Sequence, residues 1–241
     1  MINFKNKIAL VTGASGSIGR ACAKLLHAHG AHVILSGTNL NKLDDLANEL
    51  GTRCEIKACD LSDHAAAEKL VEDLDDLDIL VCNAGITEDS LSIKMSVDSF
   101  KKVLDVNLVA SFVLNKAAVK KMMRKRYGRI INISSVVGFI GNPGQANYCA
   151  SKAGLVGMSK AMAAEVATRG VTINCIAPGF IESNMTDKLN DQQKEYMKGK
   201  IPAGRFGEPQ DVANAVAFLA SEQSSYINGH TIHVNGGMLM L

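Results

Sequence analysis

The chain has 241 residues, of which 47% are hydrophobic and 21% charged, a globular balance that excludes disorder as a description of the whole. Its 26 Lys and Arg against 24 Asp and Glu leave a net charge of +2, too small for a nucleic-acid-binding domain, which is usually strongly basic. No apolar run approaches the roughly 18 residues of a membrane-spanning helix, and the first residues run into a strand pattern rather than a signal peptide, so a soluble cytoplasmic protein is expected.

Short β-branched runs alternate with longer helical stretches. Strands are expected at Ile8–Thr12, His32–Ser36, Cys54–Cys59, Ile79–Asn83, Arg129–Ser134, Thr172–Ala177 and His230–Val234. Most are continuous apolar runs, the mark of parallel strands covered on both faces. Helical patterns fill 17–29, 39–49, 62–74, 98–126, 149–169, 187–198 and 209–221. The alternation predicts an α/β fold over 1–241: a single doubly wound, Rossmann-type domain with a mostly parallel seven-stranded sheet and helices on both faces. Residues 180–208 break the rhythm after the sixth strand, at the sheet edge where ligands bind, and predict a substrate lid.

Cys22, Cys54, Cys59, Cys82, Cys149 and Cys175 include no Cys-x-x-Cys pair, so neither a metal site nor a disulfide framework is expected. Chemistry begins at the first strand's end, where Gly13-Ala14-Ser15-Gly16-Ser17-Ile18-Gly19 opens a helix. Glycines there permit a tight turn, and the helix N-terminus offers unpaired N–H groups to a pyrophosphate. The second strand ends in Ser36-Gly37-Thr38-Asn39, with no carboxylate to hold a ribose 2′-hydroxyl. Thr38 and Asn39 can instead donate to a 2′-phosphate, which favours NADP(H). Asp60, with Leu61 after it, ends the third strand where an adenine amino group would lie, and Asn83-Ala84-Gly85 turns the chain beneath a cofactor at the end of the fourth.

Tyr148 and Lys152 stand one helical turn apart, so an ammonium is expected to bring the phenol down from its ordinary value of about 10. Ser134-Ser135 ends the fifth strand, where a hydroxyl meets the phenol at one carbonyl oxygen. Asn107 interrupts an apolar helix face, either as an inter-helix hydrogen bond or as the holder of a water that relays protons to Lys152.

The glycine-rich loop, Asn83-Ala84-Gly85, Asn107, Ser135 and Tyr148-x-x-x-Lys152 together resemble the short-chain dehydrogenase/reductase family over essentially the whole chain. Longer stretches, Gly144–Tyr148, Pro178–Glu182 with Met185-Thr186, Ile201–Arg205 and His233–Met238, are similar to the branch that reduces 3-oxoacyl groups on acyl carrier protein in fatty acid biosynthesis. The resemblance implies an NADPH-dependent oxidoreductase, a homotetramer, with Tyr148 as proton donor and Ser135 orienting the substrate carbonyl. It also implies that Lys152 holds the nicotinamide ribose, Asn107 anchors the water chain, and Pro178, Gly179, Ile181 and Thr186 meet the nicotinamide end. In one departure, the family usually has glycine where Ser17 stands, and its NADP users often carry a basic residue where Gly16 stands. Other carbonyl substrates, or a dinucleotide sensor without turnover, remain alternatives. The basic run from Lys116 to Arg129 would steer an acidic carrier protein, with Arg129 and Arg169 as docking contacts, while Glu72 to Asp78 reads as solvated surface.

Overall fold

The computed structural model describes residues 2–182 and 191–241. Seven strands, β1 (Ile8–Thr12), β2 (His32–Ser36), β3 (Cys54–Ile56), β4 (Ile79–Cys82), β5 (Gly128–Ile133), β6 (Val171–Pro178) and β7 (Thr231–Val234), form one sheet in the order β3-β2-β1-β4-β5-β6-β7. Every pairing between them is parallel. The order reverses between β1 and β4, which opens a crevice at the carboxyl ends of the strands.

The helices are α1 (Ser17–Ala28), α2 (Leu40–Leu50), α3 (His64–Glu72), α4 (Val97–Leu104), α5 (Ala110–Lys125), α6 (Val137–Ile140), α7 (Ala146–Val166), α8 (Asp191–Lys198) and α9 (Pro209–Ala220). Successive strand residues serve opposite faces. Val11, Leu35, Val81 and Ile131 pack with α1, α2 and α9, whereas Leu10, Ile34, Leu80 and Ile130 pack with α3, α5 and α7. Both faces are covered, hence continuous apolar runs rather than alternation. Each fully buried aliphatic side chain contributes about 1.5–3 kcal/mol.

Three expected elements differ. The strand expected at Cys54–Cys59 ends at Ile56, although Lys57 and Cys59 still donate to the carbonyls of Leu35 and Gly37; β3 is an edge with one neighbour to hold it. The helix expected over 98–126 is α4 and α5 joined by a π-turn, Asp105–Val109. That extra residue in the turn coincides with Asn107 bonding the Ile86 backbone and with Leu108 seated on Gly154, where a Cβ would come within 2.8 Å of it. For the helix expected over 187–198, residues 187–190 lie outside the described ones, and α8 covers the rest.

Both flanks of the 180–208 connection are pinned. Ile181 bridges to Gly207, Phe180 packs edge-on against Phe206 with ring centroids 6.3 Å apart, and Ile201 and Phe206 are buried. Among the described residues no helix is long and apolar enough to cross a membrane, and no three His, Cys, Asp or Glu side chains converge as a metal site. All six cysteines are free thiols.

Candidate active site

β1 runs into the glycine loop through Gly13 at φ +63°, where a Cβ would lie 2.8 Å from Asn83 Nδ2 and 2.9 Å from Ala84 Cα. A Cβ at Gly19 would collide with the Gly13 carbonyl, so both positions require glycine. The loop is tied to β4. Asn83 Nδ2 donates to the carbonyls of Thr12 and Gly13 at 3.1 and 3.2 Å, and Thr12 Oγ1 accepts from the N–H groups of Asn83 and Ala84. Asn83, expected as a cofactor contact, therefore spends its amide on shaping the loop, and so does the hydroxyl of Thr12, the residue that leads into it. Ala14 and Gly19 need a similar correction: both are buried behind the loop, Ala14 donates its N–H to Ser36, and neither lines the cleft.

Gly16 caps α1 with no side-chain acceptor, and no acidic residue follows in the first turn. By contrast, Asn39, Asp63 and Ser96 accept from the first-turn N–H groups of α2, α3 and α4. The exposed start of α1, with Ser15, Ser17 and Ile18, therefore faces the crevice with N–H groups free for an anion.

The crevice has two continuous parts. One, of about 540 Å³, runs past the loop to Thr38, Asp60 and Leu61; the other, of about 590 Å³, reaches Ser135, Tyr148, Lys152, Pro178, Gly179 and Ile181. Both touch Ser17, Ile18, Asn83, Gly85 and Ile86. Thr38 is exposed on the wall, and Asn39 commits its Oδ1 to Lys42 as the cap of α2. Asp60 accepts from Ser62 N and Oγ through Oδ1, and these bonds hold its carboxyl below the usual range, an ionised acceptor. Thr186 lies outside the described residues.

At the far end, β5 delivers Ser135 and the first turns of α7 deliver Tyr148 and Lys152. Lys152 is only 4% exposed, and its Nζ donates to the Ile133 carbonyl at 2.8 Å. Burial brings this ammonium down to about 8. Tyr148 goes the other way: burial pushes its phenol up to about 12, and the neighbouring Ser135 hydroxyl offsets this only in part. The expected lowering of the phenol by its cationic neighbour is thus overturned. The Lys152 Nζ lies 5.5 Å from the centre of the tyrosine ring and is engaged by a backbone carbonyl, while desolvation penalises both charged forms.

Asn107 is fully buried in the π-turn. Its Oδ1 accepts from Ile86 N at 2.8 Å, and its Nδ2 donates to Ile86 O and to Ser151 Oγ at 3.0 and 3.2 Å. Gly85 lets these groups crowd together, since a Cβ there would lie 3.1 Å from Asn107 Oδ1 and 3.6 Å from Lys152 Nζ. Gln145, which lies in the Gly144–Tyr148 stretch, and Asp89, which had no sequence signal, are bonded to each other at 3.0 Å on the cleft wall.

The basic run does not form a free patch. Lys116 and Lys120 pair with Glu68, Lys121 donates to the carbonyls of Glu72 and Leu74, and Lys125 bridges Asp76 and Asp78. The acidic run expected as solvated surface supplies most of these partners. Arg129, expected as a docking contact, is 4% exposed and donates to the carbonyls of Ser221, Gly128 and Gly170. It is an internal brace at the amino end of β5. Arg169 is exposed in the turn before β6, at the same amino edge of the sheet.

A family model described as enoyl-(acyl carrier protein) reductase matches residues 13–239. The 3-oxoacyl-[acyl-carrier-protein] reductase FabG of Rickettsia bellii is 61% identical over 241 residues, covering 100% of both chains. Its Escherichia coli namesake is 50% identical over 244 residues with the same coverage. The crystal structure of an Agrobacterium tumefaciens protein assigned as a gluconate dehydrogenase matches at a TM-score of 0.95 and 33% identity, over 100% of this chain and 98% of the other. With likeness of this extent, and the parallel sheet and glycine loop described above, the chain belongs to the short-chain dehydrogenase/reductase family, among its 3-oxoacyl-[acyl-carrier-protein] reductases.

Proposed function

We propose that this protein reduces 3-oxoacyl groups on acyl carrier protein to 3-hydroxyacyl groups in the cytoplasm, with NADPH as electron donor. The observation that carries the reading is that Ser135, Tyr148 and Lys152 line one cleft continuous with the glycine loop. A dinucleotide suits the donor set: the uncapped α1 terminus matches a pyrophosphate, and Asp60 offers an acceptor to adenine. Thr38, without a carboxylate beside it, favours the 2′-phosphate of NADPH. Bound nicotinamide supplies the hydride.

The protein's part is to place and protonate. Tyr148, with its phenol near 12, keeps its proton at neutral pH and gives it to the alkoxide oxygen as it develops. Ser135 orients the carbonyl through the same oxygen. Lys152 uses one N–H on Ile133 and keeps two for ribose hydroxyls. With a value near 8, it also holds a proton that can move on to Tyr148. Asn107 Oδ1 retains a lone pair toward Lys152, where a bridging water restores that proton. Gly179 and Ile181, with Phe180 and Met197 beside them, wall the nicotinamide and acyl end.

We also assign a homotetramer. Ala153, Gly157 and Ala161 leave a smooth exposed face on α7, and Phe112, Met240 and Leu241 are apolar and exposed. With Arg129 internal, the carrier contact is assigned to the exposed Arg169.

NADPH oxidation with acetoacetyl-carrier protein, beside acetoacetyl-CoA, simple ketones and a ketogluconate, tests the reading. The carrier thioester should have the highest kcat/KM, and its rate should fall as pH rises through about 8, where Lys152 loses its proton. A ketone or sugar acid turned over better than either thioester would replace this substrate assignment.

A further inference from the structure

Behind the cleft, two amides meet with no access to solvent. Asn115 on α5 and Asn132 on β5 are both fully buried. Asn115 Nδ2 donates to Asn132 Oδ1 at 3.0 Å, and Asn132 Nδ2 returns a bond to Asn115 Oδ1 at 3.1 Å. Asn115 Nδ2 also lies 3.4 Å from Cys82 Sγ on β4, and each amide has a further acceptor. Asn115 also donates to the Ser111 carbonyl at 2.8 Å, and Ser111 Oγ donates to the Asn107 carbonyl at 2.9 Å. Asn132 donates to Ser159 Oγ on α7 at 2.9 Å.

The three elements joined here each carry part of the site. α5 continues from the π-turn that holds Asn107. β5 supplies the Ile133 carbonyl that grips Lys152 and leads into Ser134, whose Oγ donates to the Lys152 carbonyl at 2.9 Å. α7 bears Tyr148 and Lys152, with Ser159 two turns further along the same side. Asn132 also stands in register between Cys82 on β4 and Cys175 on β6, so the pair sits at the centre of the sheet, under the switch-point crevice.

Polar partners removed together in favour of apolar groups of similar shape often cost little, because no orphaned donor remains. What the amides supply is direction: the three N–H bonds that cross between α5, β5 and α7 oppose sliding, whereas aliphatic contacts tolerate small shifts.

We propose that Asn115 and Asn132 form a positioning pair that fixes the register of α5, β5 and α7, so that the Lys152 ammonium stays at the Ile133 carbonyl and the Ser135 and Tyr148 hydroxyls meet. The proposal rests on the reductase reading above. Neither residue touches substrate or cofactor; both act through the groups they align.

The test is the double variant Asn115→Leu/Asn132→Leu in the full-length protein, assayed with NADPH and acetoacetyl-CoA across pH. Its melting temperature should stay within about 5 °C of the parent, since no lone amide is left buried. Its kcat should fall about 10–100-fold, as expected for misplacement of reacting groups by an ångström or less, with KM changed by less than about threefold. The alkaline limb of the kcat profile should move as Lys152 leaves its carbonyl. A folded double variant that keeps the parental kcat, or the parental alkaline limb, overturns the proposal. Should the double variant fail to fold, Asn115→Ser, which cuts the link at one end, is held to the same two readouts. A parent protein that does not oxidise NADPH with the thioester rejects the reductase reading itself, an outcome separate from an active parent with an equally active double variant.

Discussion

The two edges of the sheet handle polar groups in opposite ways. At the carboxyl edge α1 begins without a side-chain cap, and among the described residues Lys152 is buried against a carbonyl with no carboxylate beside it. At the amino edge the buried charges are matched: Arg129 braces three carbonyls, and Asp78 accepts from Lys125 and from the Ile8 N–H. The cations of α5 lie against the acids of α3 and the loop after it. Charge is thus spent on structure at one edge and held in reserve at the other. A run of like charges in sequence does not say which of these it serves.

Substitutions can sharpen or break that contrast. The largest effect belongs to the carboxyl edge. Tyr148→Phe should lower kcat by about 10²–10⁴-fold with NADPH affinity, read by fluorescence titration, nearly intact; a variant with normal turnover removes the proton donor from the scheme. Arg129→Leu should act in the other currency, on stability. Freeing three buried carbonyls should cost about 2–4 kcal/mol in denaturant titrations, while the folded fraction keeps its kcat. A loss confined to carrier-linked substrate would restore Arg129 as a docking residue. The smallest effect is expected of Lys120→Ala, an exposed partner of Glu68 and Glu72: a melting shift under about 1 °C and equal kcat/KM ratios for carrier and CoA thioesters. A selective drop for the carrier substrate would mean that the α5 cations steer it after all.

Much of the framework could be read from the chain itself. The apolar runs at Ile8–Thr12 and His32–Ser36 are the strands β1 and β2 to the residue, because burial on both faces leaves no ambiguity of pattern. The glycine loop and the one-turn spacing of Tyr148 and Lys152 are local, and so legible. The rest depends on neighbours distant in sequence. A 3.6-residue period drawn through 98–126 cannot reveal a π-turn, since the extra residue is set by Ile86 and Gly154 rather than by the helix. The same blindness hid Asn115, which that period leaves off the apolar face. The phenol of Tyr148 goes up rather than down because its value follows burial, which the spacing to Lys152 does not reveal. Asn83 lies where a ligand contact was expected, but its amide points at Thr12 and Gly13, a choice made by chain packing.

The bare first turn of α1 carries a thermodynamic corollary. A cofactor that supplies the missing acceptors binds the folded chain and not the unfolded one, so mass action should raise the unfolding free energy by RT ln(1 + [L]/Kd). At a hundredfold excess over Kd that is about 2.7 kcal/mol. If the same backbone N–H groups seat a pyrophosphate, the dinucleotide concentration would set how far the folded state is favoured.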